Sequence, residues 1–238
     1  MTLLKERYNY EPINRESVEG KRLYALPDGS KVPSVTTILD KTKSEEKKQA
    51  LANWKKRVGE VKAQEIVTEA AGRGTRMHKF LEDHVKQGSI NEPGTNPYSI
   101  QSHKMAKVVI EQGLSNVNEV WGVEVPLYYP GIYAGTTDGC GLHLNDEAIL
   151  DYKQTNKAKK EEWIEDYYLQ LTAYALAHNK VHGSNIRKGV VLMCIKPPEI
   201  KPLIWGDPVY QEFILKPEDF SYWEAKWWDK VEQYYKQM

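Results

Sequence analysis

Between Gly135 and Lys153 the chain reads GTTDGCGLHLNDEAILDYK, which sets Asp138 ahead of an Asp-x-Lys triplet, Asp151-Tyr152-Lys153. The segment reads as a β-hairpin with Asp138 on its first arm and the triplet on its second. Two carboxylates and an amine gathered across a hairpin suit metal-dependent phosphodiester hydrolysis. Carboxylate oxygens hold hard divalent cations, and a cation so held polarises a phosphate and activates a water. The lysine adds a fixed positive charge, or a proton relay, beside the attacked phosphorus. The apolar run Ala148-Ile149-Leu150 suits a strand buried on both faces, and the charge of Asp151 directly after it needs a partner or a metal. Gly135 and Gly139 flank Asp138 and indicate bends or close backbone approach. On these residues alone, a plain hairpin with a surface aspartate on each arm fits as well.

Three further groups could complete such a site. His78 lies in GRGTRMHKFLEDHV, one step away from the apolar stripe Met77, Leu81, Val85. Its imidazole could supply a nitrogen ligand, with Glu82 at i+4 fixing its tautomer; a surface or hydrogen-bonded histidine is the bland alternative. Glu124 interrupts the apolar VWGVEVPLYY; if Val123 and Val125 share one face it points to the other, as a candidate ligand or a structural anchor. Trp163, Tyr167, Gln170 and Tyr174 recur at spacings of four, three and four, which puts them on one face of a helix. A glutamine among three aromatics suits a phosphate or a stacked base; core packing around a satisfied glutamine is the other reading.

The elements that must carry these residues follow from periodicity and turn chemistry. Residues 22–39 read as two short strands around Pro27-Asp28-Gly29-Ser30. A helix over 44–58 is capped by Ser44, with Trp54 as its anchor. Helical pattern over 60–71 stops at Gly72-Arg73-Gly74, and Thr75 can cap a new helix over 76–87, ended by Gly88. Residues 89–97 are a loop and 98–112 a helix stopped by Gly113. Strands fit 119–129, 132–144, 147–153, 188–195 and 209–215, with helices over 160–181 and 217–236, Pro217 opening the last. The order is helices, then β-β-β-α-β-β-α, which gives one α/β domain with a mixed sheet flanked by helices. Within it, 1–115 holds the hairpin and helical part and 116–238 the sheet and its helices.

Composition narrows the partners. The chain has 238 residues with 40% hydrophobic and 11% aromatic content, enough for a real core. A net charge of zero argues against coating duplex DNA over a whole face, though lysines cluster over Lys41–Lys56 and Lys153–Lys160. Cys140 and Cys194 are too few for a structural zinc or iron–sulfur site and read as buried free thiols in a reducing compartment. No apolar run approaches a membrane span, so no membrane partner is expected. MTLLKERYNYEPINRE lacks a signal h-region and is too acidic for a mitochondrial leader, so a cytoplasmic location is expected.

In order along the chain, His78, Glu124, Asp138, Asp151-x-Lys153 and Gln170-x-x-x-Tyr174 resemble the PD-(D/E)xK nucleases of the RecB type. The branch it is most similar to is that of the mitochondrial genome maintenance exonucleases and their phage relatives. VPSVTTIL at 32–39, ALANWKKR at 50–57, GTRMHKFLE at 74–82 and YLQLTAYALAHN at 168–179 share in the likeness, which spans roughly residues 22–182. The resemblance implies a restriction-endonuclease-like core, a central mixed sheet flanked by helices, with an N-terminal helical arch over the site. It implies metal ligation by His78, Asp138 and Asp151, with the Tyr152 carbonyl as a further ligand. Lys153 would be the catalytic lysine, Glu124 an acidic site residue, and Gln170 and Tyr174 would orient DNA near the metals. Trp163 and Tyr167 would add stacking.

The resemblance therefore implies a Mg2+- or Mn2+-dependent deoxyribonuclease acting on free ends of single-stranded DNA in replication, recombination or repair. Thr137, not proline, precedes Asp138, as is common in this branch, and Gln154 follows Lys153 where relatives often have threonine, with Thr155 one later. The four-cysteine set of some RecB-type nucleases is absent. With no mitochondrial leader, a phage or bacterial setting is expected, with a replication or recombination partner of unknown identity. A structure-selective endonuclease on the same fold and a non-catalytic DNA-binding recombination partner are the alternatives.

Overall fold

The computed structural model describes residues 2–18 and 21–237. Its strands are β1 (Asn14–Val18), β2 (Lys21–Ala25), β3 (Lys31–Pro33), β4 (Val117–Tyr129), β5 (Tyr133–His143), β6 (Asp146–Thr155), β7 (Lys188–Ile195), β8 (Glu199–Lys201), β9 (Ile204–Trp205) and β10 (Val209–Leu215). The helices are α1 (Val35–Lys41), α2 (Glu45–Val58), α3 (Glu60–Gln87), α4 (Pro97–Gln112), α5 (Glu165–His182) and α6 (Phe220–Lys236).

The central sheet has five strands in the order β10-β7-β6-β5-β4 and is open at both ends. β6 and β7 run parallel and every other neighbouring pair is antiparallel. A parallel pair needs a crossover, and α5 supplies it. Alternation along β6 sorts its side chains: Ile149 joins the core under α1, α5 and α6, while Ala148, Leu150 and Tyr152 join the core under α3 and α4. Helices therefore cover both faces, which is why the middle of β6 is buried throughout. β5 and β6 meet through Leu144-Asn145, both at positive φ (51° and 69°), the backbone that a tight hairpin of right-handed twist requires.

Several expectations need correction. The second strand within 22–39 ends at Pro33. Ser34 accepts a hydrogen bond from the Thr37 N–H and caps α1, so local capping overrides the β-propensity of Val35-Thr36-Thr37-Ile38. Gly72-Arg73-Gly74 does not break the helical run: α3 is one helix, and Thr75 turns its hydroxyl back onto the Ala71 carbonyl instead of capping. α5 begins at Glu165, and Glu161–Trp163 forms a short 3-10 turn before it. α2 is capped by Ser44 as expected, but it buries no residue; Trp54 is only half-buried and anchors nothing in the core. The three-stranded β1-β2-β3 sheet and the small β8-β9 hairpin contain strands not read from the sequence. Cys140 and Cys194 are free and buried, and burial pushes both thiols up to about 12.

Candidate active site

The β5–β6 ladder holds from His143↔Asp146 to Gly139↔Leu150 and then opens. Past that point the Tyr152 N–H has no partner on β5, and a buried amide needs one. The Asp138 carboxylate fills the gap: its Oδ2 accepts from Tyr152 N at 2.5 Å. On the other side, β4 pairs Val123↔Gly139 and Val125↔Thr137, which puts Glu124 against Asp138. Glu124 sits at φ 51°, a left-handed backbone that costs a non-glycine residue about 1–3 kcal/mol. Two carboxylates facing across strands repel. The strain and the repulsion fall at one spot, and there Val123 and Val125 do not share a face: Val123 packs with the core under α3 and α4 and Val125 with the core under α1, α5 and α6.

His78 comes to the same place from the C-terminal half of α3. Met77, Leu81 and Val85 are fully buried and fix the rotation of that helix on the sheet. His78 Nδ1 then lies 3.1 Å from Asp138 Oδ1, and the ring meets Tyr152 edge-on at 5.8 Å. Glu82 is not its partner; it pairs with Lys86, its other i+4 neighbour, at 3.3 Å. One donor atom each from His78, Glu124 and Asp138 lies within 4.8 Å of the others. Ligands at about 2.0–2.6 Å from one ion stand no further apart than roughly 4–5 Å, so the three fit a shared divalent cation. One nitrogen and two carboxylates suit Mn2+ or a similar first-row ion and are tolerable for Mg2+.

Asp151 and Lys153 stand beside this cluster. The Asp151 side chain is 3% exposed, so its charge has little solvent support. Lys153 Nζ donates to Asp151 Oδ1 at 2.6 Å and lies as close to Oδ2, which has no directed hydrogen bond of its own. The ammonium also sits 5.4 Å from the centre of the Tyr167 ring. Charges differ across the site. Burial, and then the nearby Asp138, raise the Asp151 carboxyl against the opposing pull of Lys153. Asp138 moves the other way: burial opposes it, but His78, Lys153 and the Tyr152 N–H hold it below the usual carboxylate range. Burial followed by Asp138 and Glu82 raises Glu124. His78 is raised by Asp138 despite its burial. The His78 imidazole and the Asp138 carboxylate thus each favour the charged form of the other.

The aromatic set divides. Tyr174 is buried in the core under β5, so close that a Cβ on Gly135 would lie 2.8 Å from its ring. Its hydroxyl accepts from Gln170 Nε2 at 3.3 Å. Stacking on Tyr174 is therefore ruled out by packing, though Gly135 is explained by it. Gln170 and Tyr167 are half-buried. Trp163 lies outside the helical stripe and is 58% exposed, with the Lys160 ammonium 5.3 Å from its ring.

Sequence reasoning missed Arg73. It is fully buried inside α3 and donates to Glu69, Gln154 and Asn156. The signal was present: an arginine between two glycines in a helical run points to a close approach as readily as to a break.

Comparison with known proteins gives distant relatives of consistent name. Mitochondrial genome maintenance exonuclease 1 of Mus musculus is 26% identical over 215 residues, covering 85% of this chain and 59% of that protein. The protein of that name from Xenopus tropicalis is 24% identical over 218 residues, 86% of this chain and 58% of its own. The one from Homo sapiens is 24% identical over 214 residues, 85% and 58%. The chain thus spans about three fifths of the length of the curated relatives it matches. No family model matches. The solved structure of SSO0001 aligns with TM-score 0.28 and 14% identity over 67% of this chain and 84% of that one, too loosely to carry an argument.

Proposed function

We propose that this chain is a metal-dependent DNA exonuclease of the PD-(D/E)xK type, acting on free ends of single-stranded DNA in replication, recombination or repair. One observation carries the reading: His78, Glu124 and Asp138 converge within 4.8 Å beside the buried Asp151 and its partner Lys153. The names of the relatives support a nuclease in general terms.

In this reading His78, Glu124 and Asp138 would hold a Mg2+ or Mn2+ ion, with Asp151 and the Tyr152 carbonyl as the further ligands the resemblance implies. The ion supplies Lewis-acid polarisation of the phosphate and acidifies water. The chain's own residues do the rest. Lys153 keeps its charge because Asp151 and Asp138 raise its ammonium against the effect of burial. It presents that charge where negative charge grows on the phosphate, and Tyr167 limits its swing. Gln170, oriented by the Tyr174 hydroxyl, has an amide with which to position a strand. Trp163 offers an exposed ring on which a base can stack.

The test is cleavage of end-labelled linear and circular single-stranded DNA, with 5′ and 3′ labels, after EDTA treatment and after return of Mg2+, Mn2+ or Ca2+. Linear strands should be degraded with Mg2+ or Mn2+ only, because loose Ca2+ geometry orients water poorly. Equal cleavage of circles would turn the reading to an endonuclease. Full activity in metal-stripped protein would sink the mechanism.

A further inference from the structure

Arg73 touches none of the site groups, yet it sits where α3, which carries His78, meets β6, which carries Asp151 and Lys153. Its Nε donates to Gln154 Oε1 at 2.7 Å, one guanidinium nitrogen donates to Glu69 Oε1 at 2.6 Å, and the other to Asn156 Oδ1 at 2.5 Å. Gln154 returns the contact by donating from Nε2 to the Ala70 carbonyl at 2.9 Å. The Arg73 carbonyl in turn accepts from Ser102 on α4. Gln154 directly follows Lys153 on β6, and His78 lies little more than one turn beyond Arg73 on α3. The helix between Arg73 and His78 is continuous, and the strand between Gln154 and Asp151 is hydrogen-bonded to β7 throughout. A displacement at the Arg73–Gln154 junction is therefore passed to His78 and Asp151 rather than absorbed.

Filling this space with an apolar side chain would avoid the desolvation of a guanidinium. What the planar fork adds is geometry: Gln154 on β6 and Asn156 just after it, two acceptors at fixed angles, set α3 against β6, while Glu69 on α3 itself orients the guanidinium. The geometry points to Arg73, acting through Gln154, as a positioning residue that holds His78 in register with Asp138 and so sets the affinity of the cation cluster. This inference rests on the metal-site reading, but not on the identity of the substrate.

Mn2+ affinity measured by electron paramagnetic resonance tests it, with thermal melting to confirm folding. Gln154→Met keeps the bulk and removes both hydrogen bonds from a half-exposed position; Arg73→Lys keeps the charge and removes the fork. Coupling passed through packed elements to a site not directly touched is worth about 2–30-fold, and Gln154→Met should weaken Mn2+ binding by at least about fivefold on that scale. In a His78→Ala background the same change should have less than about a twofold effect, because the contact it tunes is gone. Arg73→Lys should act in the same direction, and if it fails to fold, Gln154→Met decides. Wild-type Mn2+ affinity in Gln154→Met overturns the inference. So does an equal loss with and without His78, which would mark a general structural role. If the wild type binds Mn2+ with the expected His78-dependent coupling but cuts no DNA, the nuclease reading fails and the positioning role stands. If the wild type binds no Mn2+, both fall.

Discussion

Two lysine–carboxylate contacts of similar length sit in opposite surroundings. Lys47 on α2 reaches Glu165 and Asp166 at 2.9 Å each, with side chains 43%, 34% and 38% exposed. Lys153 on β6 reaches Asp151 at 2.6 Å, with side chains 22% and 3% exposed. α2 has no buried residue and relies on such surface pairs for its tie to α5. β6 is buried through its middle, pairs with β5 only up to Leu150 and with β7 from Ala148 to Thr155, and carries its ion pair as a load the fold must compensate. Distance alone thus says little about what a salt bridge does. In water the pair is screened and replaceable; in the interior, removing one partner strands a charge.

The largest expected effect comes from breaking the interior pair. Lys153→Ala should lower turnover by about 10²–10³, the range for removing one preorganised electrostatic group, while DNA binding persists. Near-normal turnover in a cleavage assay would show that the wrong lysine had been chosen, with Lys157 next to test. Among the aromatics the same contrast of burial applies. Tyr174→Ala should cost about 3–5 kcal/mol in urea unfolding, as for other large buried rings. Trp163→Ala should leave stability within about 0.5 kcal/mol and act only on single-stranded DNA affinity, by roughly 1–3 kcal/mol per stacked base. Reversed outcomes would mean that exposure does not sort these rings.

A buried group without an ion pair extends the contrast to pH. His178 on α5 hydrogen-bonds Tyr10 at 3.0 Å and Ser184 at 2.7 Å, and burial, then His182 and Arg7, hold its imidazole down to about 3 from an ordinary 6.5. The unfolded chain takes up this proton below about 6.5 and the native one does not until about 3. Its contribution to stability is therefore complete above the unfolded value and is lost as pH falls between the two. The urea midpoint should fall more from pH 7.5 to 4.5 in the wild type than in His178→Gln; parallel curves would exclude it. The smallest effect belongs to the exposed pair. Lys47→Ala should cost no more than about 1 kcal/mol, and the difference from wild type should fade in molar salt, as melting curves with and without NaCl would show.

How much of this was legible in the sequence depends on how local each signal is. The β5–β6 hairpin, with Asp138, Asp151 and Lys153 in place, could be read because alternation and glycine placement act over a few residues. Ser44, Gly88 and Gly113 mark helix ends for the same reason. The misreadings arose where a distant contact overrode a local rule. Gly72-Arg73-Gly74 is a breaker by composition, yet Gln154 and Asn156 from β6 and the turn after it hold it helical. Trp163 fits a helical period with Tyr167, but the chain turns in 3-10 form just before α5. Tyr174 matches the pattern of a binding face and is claimed by the core beneath Gly135.

By itself, then, the sequence determined which residues alternate, which turns close and which charges stand in apolar strands, because these depend on backbone sterics and side-chain period. It also marked His78 and Glu124 as candidates, without bringing them together. Only the tertiary structure decided that α3 rests on the sheet with His78 Nδ1 3.1 Å from Asp138 Oδ1, and that Glu124 is turned to φ 51° opposite it. That convergence depends on which faces of three separate elements are buried against one another, and burial is a property of the whole packed chain rather than of any segment.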